Sequence, residues 1–306
     1  MKKILFSLLS IGMITGCSKD DNISDNYIPA LVVTITSEAE EESLRSQVED
    51  KSGFDGKAKI SPTGSEDGSY IIYVAPEIRS LPAYAFSWCD YITSVDFVEN
   101  VLTTIEENAF IGCSSMAYVH IPGVISIGND AFRSCVSLKS ISIPQETTFL
   151  GDYAFKDCES LANITFFDNS ITTIGDSVFM SCDRLNIIKI PYGVTSIGSS
   201  AFWGCDALNM IDIPGSVTSI EDEAFQYCTS LTSIDIPSSV TYIGNNVFNF
   251  SAIKEIYCHP TIPPTLGGPT TFGPVNTIYV PRTSVARYKE YGGNWRNYQN
   301  RIMGWF

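Results

Sequence analysis

Phenylalanine recurs through the middle of this 306-residue chain at a nearly constant spacing. The successive intervals are 24, 22, 23, 24, 23, 23 and 23 residues, and they separate Phe86, Phe110, Phe132, Phe155, Phe179, Phe202, Phe225 and Phe248. A unit this short cannot form a domain by itself, because one copy has nothing against which to bury its apolar face. Stacked copies can bury it, so the spacing predicts a solenoid whose coils lie side by side.

Each repeat carries the same further residues around its phenylalanine. A cysteine follows three residues after the first seven phenylalanines, and Ser251 takes that place after the eighth. From one cysteine to the next phenylalanine the unit reads Cys-x-x-Leu-x-x-Ile-x-Ile-Pro, then Val-x-x-Ile-Gly, then Ala-Phe. In Ile211-Asp212-Ile213 the side chains alternate, which predicts a strand with both isoleucines in the core. Proline cannot donate to a strand ladder, so Pro214 ends that strand.

This unit resembles the BspA-like leucine-rich repeats of bacterial surface proteins, in eight copies between about Leu81 and Cys258. The resemblance implies a leucine-rich-repeat solenoid that is rich in β-structure, with a parallel sheet and short helical or irregular turns in each repeat. The segment from Ile278 to Ile302 resembles the end of such arrays. Family members are described as adhesins, so the resemblance implies a cell-surface binding protein without catalytic activity.

The N-terminus has the pattern of a secretory leader. Lys2 and Lys3 precede an apolar run that is too short to span a bilayer, and Thr15-Gly16-Cys17 follows it. The ending resembles a bacterial lipobox, which implies that Cys17 is lipidated after cleavage. An ordinary signal peptide with an incidental cysteine is the alternative. Residues 18–22 resemble an acidic export tag, although a solvated linker would look similar. We therefore expect a protein lipid-anchored at the outer membrane and exposed at the cell surface.

These features divide the chain into five expected segments. They are a lipoprotein signal peptide at 1–16, a lipidated tether at 17–27, an N-terminal cap at 28–80, the repeat array at 81–258 and a C-terminal cap at 259–306. Caps are expected because the end coils of a solenoid otherwise expose apolar edges.

Charge and residue types narrow the possible functions. The formal net charge is −15, which disfavours nucleic-acid binding and leaves the lipid anchor as the only expected membrane contact. The only histidines are His120 and His259, no Cys-x-x-Cys pair occurs, and no carboxylate pair stands out by its spacing. We therefore predict a monomer that is not an enzyme and binds no metal or cofactor.

The cysteines of the repeat should be buried thiols. Their side chains recur once per coil and point the same way, which is poor geometry for a disulfide. They are expected to pack as small apolar groups, and Cys258 should also lie in the core because it replaces an inward isoleucine.

The outward strand positions are the candidate binding surface, because the inward ones are committed to packing. Large groups are exceptional there and are candidate anchors, namely Tyr118, Ile187, Met210 and Tyr257. Polar neighbours complete the candidate set, namely His120, Lys189, Asp212 and Asp235. The alternative is that the large groups only cover neighbouring side chains. Three roles remain open: recognition of an extracellular protein, glycan or nutrient capture with Tyr257 and Tyr279 as platform, and an architectural role in the cell envelope.

Overall fold

The computed structural model describes residues 27–37, 40–51, 53–64, 67–167 and 171–305. The predicted leader, Cys17 and the residues up to 26 lie outside this part of the chain, so their roles stay predictions. Within the described residues, no helix is long and apolar enough to cross a membrane.

The described chain begins with a small antiparallel unit. Strand β1 (Ile28–Ile35) is followed by helix α1 (Glu41–Ser46), a π-helical turn (Gln47–Lys51), β2 (Ala58–Pro62) and β3 (Ser69–Val74). The strand order is β2-β3-β1, all antiparallel, and β1 also pairs antiparallel with β5 (Ile92–Phe97), the first of the longer strands in the repeats. This unit therefore covers the outer edge of the first coil, and it is the part of the sheet that the repeat pattern did not describe.

From β4 onward the chain is a parallel solenoid with two strands per coil. The longer strands are β5, β7 (Tyr118–His120), β9 (Ser140–Ile143), β11 (Asn163–Phe166), β13 (Ile187–Lys189), β15 (Met210–Asp212), β17 (Ser233–Ile236), β19 (Glu255–Cys258), β21 (Thr277–Pro281) and β22 (Ile302–Trp305). The two-residue strands are β4 (Ser80–Leu81), β6 (Thr104–Ile105), β8 (Ser126–Ile127), β10 (Phe149–Leu150), β12 (Thr173–Ile174), β14 (Ser196–Ile197), β16 (Ser219–Ile220), β18 (Tyr242–Ile243) and β20 (Thr265–Leu266). The solenoid and its predicted register are confirmed.

A continuous stack of phenylalanine rings fills the centre. All eight predicted phenylalanines are fully buried, and consecutive rings lie 5.3 to 5.8 Å apart between centroids. Phe272 adds a ninth buried ring, 6.2 Å from Phe248. The regular packing therefore continues one coil past the last repeat recognised in the sequence.

The cysteine ladder ties neighbouring coils together. All eight cysteines of the described chain are free and buried, as predicted. From Cys113 to Cys228, each Sγ lies 3.0 to 3.2 Å from the carbonyl oxygen of the phenylalanine one coil earlier, to which the thiol donates. That carbonyl also accepts an amide hydrogen bond from its own turn, so the thiol uses its second lone pair. Burial raises the pKa of these thiols well above the ordinary value.

Aromatic residues close the C-terminal end. Helix α2 (Val285–Glu290) lies between two 3-10 segments, Arg282–Ser284 and Gly293–Arg301, and β22 follows. Tyr288, Trp295 and Tyr298 are buried, and each donates a hydrogen bond to a proline carbonyl of the preceding coil at 2.7 to 2.8 Å. Their apolar bodies cover the last coil while their polar groups satisfy backbone acceptors.

Candidate functional site

The outward positions of the longer strands form one surface, which we call the strand face. Their side chains lie in two columns with the predicted register. Ile187 is paired with Met210 and Lys189 with Asp212. The columns continue along the solenoid through three further pairs: Ser233 with Glu255, Asp235 with Tyr257, and Tyr257 with Tyr279.

Ile187 and Met210 form an exposed apolar pair at the middle of this face. Their side chains are 53% and 59% exposed, while the intervening Ile188 and Ile211 point inward and are buried. Lys189 and Asp212 lie beside the pair and are exposed as well. An apolar centre with a charged rim is the composition that protein-binding surfaces use.

Tyr192, which the sequence reasoning did not single out, adds to this patch. It is 75% exposed, and the ammonium of Lys189 lies 5.8 Å from its ring centroid. The only signal for it in the sequence was an aromatic residue directly after the strand-ending Pro191.

Tyr118 and His120 lie apart from this patch. Both are exposed on β7, and His120 Nδ1 is 3.8 Å from Asp96 Oδ1 on the neighbouring strand. Burial raises the pKa of the Asp96 carboxyl, and the charge of His120 opposes that shift. Three strand spacings, roughly 14 Å, separate β7 from β13. The structure therefore divides the eight candidate residues between two regions of the face.

Tyr257 is not the freely exposed group that the sequence suggested. Its side chain is half-buried, and its ring stacks on Tyr279 at 5.0 Å and lies near-parallel to Trp305 at 6.2 Å. Its hydroxyl donates to Glu255 at 3.0 Å, which raises the pKa of Tyr257. Tyr257 is partly covered because β21 and β22 continue the sheet and bring Tyr279 and Trp305 beside it.

His259, which directly follows β19, contacts an acidic and an aromatic side chain. Its Nε2 lies 3.0 Å from Asp235 Oδ1, and its ring centroid lies 4.3 Å from that of Trp305. Beside this pair is an open, shallow cavity of about 390 Å³, lined by Ile213, Asp235, Pro237, Ser238 and His259. Sequence distance hid this site, because its residues come from three consecutive coils and the C-terminal strand.

Acidic residues beside the two-residue strands are hydrogen-bonded within the protein. Asp152, Asp176 and Asp222 each accept a hydrogen bond from a backbone amide one coil later, at 2.7 to 2.8 Å. Glu106 accepts bonds from Ser80 and from the Ala83 amide. These carboxylates hold successive coils together, so they are weaker binding candidates than the strand face.

A second aromatic group lies on the turns. Trp203, Tyr227 and Phe250 contact one another across consecutive coils, with centroids 5.0 and 4.9 Å apart, and the repeat pattern gave no indication of them. Tyr227 and Phe250 have φ near 60°, a left-handed conformation that Gly204 holds at the equivalent position one coil earlier.

The strand face offers non-covalent contacts. No group of three or more histidine, cysteine or carboxylate side chains in the described chain could hold a metal ion. A solenoid of this kind is typical of non-catalytic binding proteins.

The comparisons with known proteins agree with the repeat architecture. A crystal structure of a leucine-rich repeat protein from Eubacterium ventriosum is 22% identical with a TM-score of 0.53, covering 60% of this chain and 48% of that one. At this identity the likeness concerns the fold alone, and the chain matches about half the length of that protein.

Two further structures are more distant in geometry. The T. pallidum leucine-rich repeat protein is 24% identical with a TM-score of 0.42, covering 54% of this chain and 74% of that one. A leucine-rich cell surface protein from Faecalibacterium prausnitzii is 22% identical with a TM-score of 0.29, covering 70% and 85%. No curated protein matches the chain.

The family comparison is more extensive. The model of the BspA type leucine-rich repeat region matches residues 79–169 and 165–264, in six copies. That span is more than half of the chain, and it contains eight of the nine stacked phenylalanine rings, the cysteine ladder and most of the strand face. The chain therefore belongs to the BspA-type leucine-rich repeat family.

Proposed function

We propose that this protein is a non-catalytic surface protein that recognises an extracellular protein through its strand face. The observation that carries the proposal is the exposed pair of Ile187 and Met210, side by side in register on a face whose other outward residues are mostly small or charged. The backbone of the sheet is already ordered and need not be ordered again on binding, so exposed apolar side chains on it suit the role of affinity anchors.

The electrostatic character of the surface favours a basic partner. The chain has a formal net charge of −15, and Asp212 and Asp235 follow one another along the second outward column. A positively charged partner would be attracted to this face, and its association would slow as salt screens the attraction.

Glycan capture is the weaker alternative. Its best platform was the pair Tyr257 and Tyr279, but these two rings stack on each other and Tyr257 also packs near Trp305. The tyrosine ring faces on which a sugar would stack are therefore already partly covered by other side chains of the protein.

The location of the protein belongs to the same proposal. Lipidation of Cys17 would hold the solenoid at the outer membrane, with the acidic tether leading to the cell surface. A myristoyl-like chain binds a membrane only marginally, so more than one chain on Cys17 would be needed for stable anchoring.

The experiment is a binding screen followed by matched substitutions. The protein is presented to arrays of extracellular proteins and of glycans, and the double variant Ile187→Ser, Met210→Ser is compared with the wild type. The control is Ile125→Ser, Ile262→Ser, which removes isoleucines that are 43% and 63% exposed but lie outside the strand face. We expect a protein ligand whose binding only the first double variant weakens. Equal effects of both variants, or a glycan ligand unaffected by either, would refute the proposal.

A further inference from the structure

The cavity beside Asp235 and His259 combines apolar and acidic walls. Ile213 and Pro237 supply apolar surface, Ser238 supplies a hydroxyl, and Asp235 supplies a carboxylate. Asp235 is 75% exposed and gives only one carboxylate oxygen to His259, which leaves its second oxygen without a bond to that ring. The volume of about 390 Å³ lies near the lower end of the range in which proteins bind small groups, roughly 300–1,000 Å³.

His259 fixes the position of the carboxylate. The imidazole is held from two sides, by Asp235 at 3.0 Å and by the Trp305 ring at 4.3 Å between centroids. Asp235 is therefore oriented at the edge of the cavity, although its side chain is on an exposed strand. Asp212, one strand earlier in the same column, adds a second negative charge beside Ile213.

An apolar wall that ends at an oriented carboxylate matches one kind of side chain. Arginine and lysine have an apolar stem and a cationic end, and they bury the stem along apolar surface while the charge meets solvent or a carboxylate. A neutral donor would gain less from Asp235 than a cation does, and an acidic group would be repelled by a strongly acidic chain.

We propose that this cavity receives one cationic side chain, arginine or lysine, of the protein partner. The inference rests on the proposed function, because Asp235 at the edge of the cavity lies on the same face as Met210 and Ile187, one and two strands further along. It adds a requirement that the apolar pair does not impose, namely a basic residue at a defined position in the partner.

The two histidines of the chain allow a direct test. With histidine labelled in carbon-13, the imidazole signals of the full-length protein are followed by NMR during titration with acetyl-Gly-Gly-Arg-Gly-Gly-amide. The same peptide with citrulline in place of arginine is the neutral control. His120 is the internal reference, because it also lies on the strand face beside an aspartate, at 3.8 Å from Asp96, but does not line the cavity.

We expect the arginine peptide to shift the His259 signal saturably and the His120 signal little. Citrulline keeps N–H donors but lacks the positive charge, so a neutral hydrogen bond replaces a charge-assisted one and the peptide should bind roughly tenfold more weakly. Asp235→Asn should remove the difference between the peptides, while Asp96→Asn should leave it unchanged. An unmoved His259, an equal response to citrulline, equal shifts of both histidines, or an Asp235→Asn variant that responds as the wild type does would overturn the proposal.

Failure of this site can be told apart from failure of the proposed function. If the peptide does not shift the His259 signal but the Ile187, Met210 double variant no longer binds its partner, the strand face is supported as the docking surface and the cationic site is refuted. If the peptide binds as expected but the double variant still binds its partner, the cationic site is supported and the apolar pair is refuted as the docking surface.

Discussion

Substitution of Phe202 by alanine tests the stacked core in quantitative terms. Its ring is fully buried and lies 5.4 Å from Phe179 and 5.3 Å from Phe225, so the change removes two ring contacts and leaves a cavity that neighbouring coils cannot easily fill. Buried phenylalanine-to-alanine changes cost about 3–5 kcal/mol. Because each aromatic pair contributes about 0.5–1.5 kcal/mol beyond area burial, we expect a value in the upper part of that range.

Chemical denaturation followed by circular dichroism measures this loss. The control is Phe149→Ala, the same chemical change at a phenylalanine that is 52% exposed, which should alter stability by no more than about 0.5 kcal/mol. In a solenoid the loss acts mainly on adjacent coils, so the unfolding curve of Phe202→Ala is expected to broaden. A small and equal effect of both substitutions would show that the phenylalanine column does not carry the packing.

Three further outcomes are expected. Gly244→Ala should destabilise the protein by about 1–3 kcal/mol in the same denaturation assay, because the new Cβ would clash with the Asp222 backbone nitrogen. Gly215→Ala is the control and should not destabilise it, because the space around Gly215 is open. Equal effects of the two substitutions would contradict the close approach of backbone at Gly244. The thiols of the cysteine ladder should stay unreactive towards a thiol reagent at pH 9, where an ordinary cysteine is half ionised, because burial and their raised pKa values keep them protonated. They should react only after denaturation, and rapid labelling of the folded chain would refute their burial. Cys17→Ala should move the protein from the membrane fraction to the soluble fraction, and unchanged partitioning would refute lipidation.

The repeat was predictable because its determinants are local and repeated. The spacing of phenylalanine, cysteine and the isoleucine pairs determined which side chains face inward, and the pairing of Ile187 with Met210 followed from that register. A periodic sequence carries the same residue pattern in each coil, so the register of an atypical repeat can be assigned from the repeats beside it.

Contacts between different coils and with the chain ends were not predictable in the same way. The hydrogen bond from each thiol to a phenylalanine carbonyl depends on a backbone turn that residue spacing does not specify. The stacking of Tyr257 near Trp305 joins residues 48 positions apart, and the N-terminal antiparallel strands have no repeat signal. These features depend on tertiary placement rather than on local pattern.

The most direct test of the account is a hydroxyl-radical footprint of the protein with and without its partner. Met210 on the strand face is 59% exposed and Trp88 on a turn is 68% exposed, so both react readily in the free protein. If the strand face is the docking surface, the partner should protect Met210 from oxidation and leave Trp88 as reactive as before. Protection of Trp88 with no change at Met210 would contradict the central claim and place the binding surface on the turns.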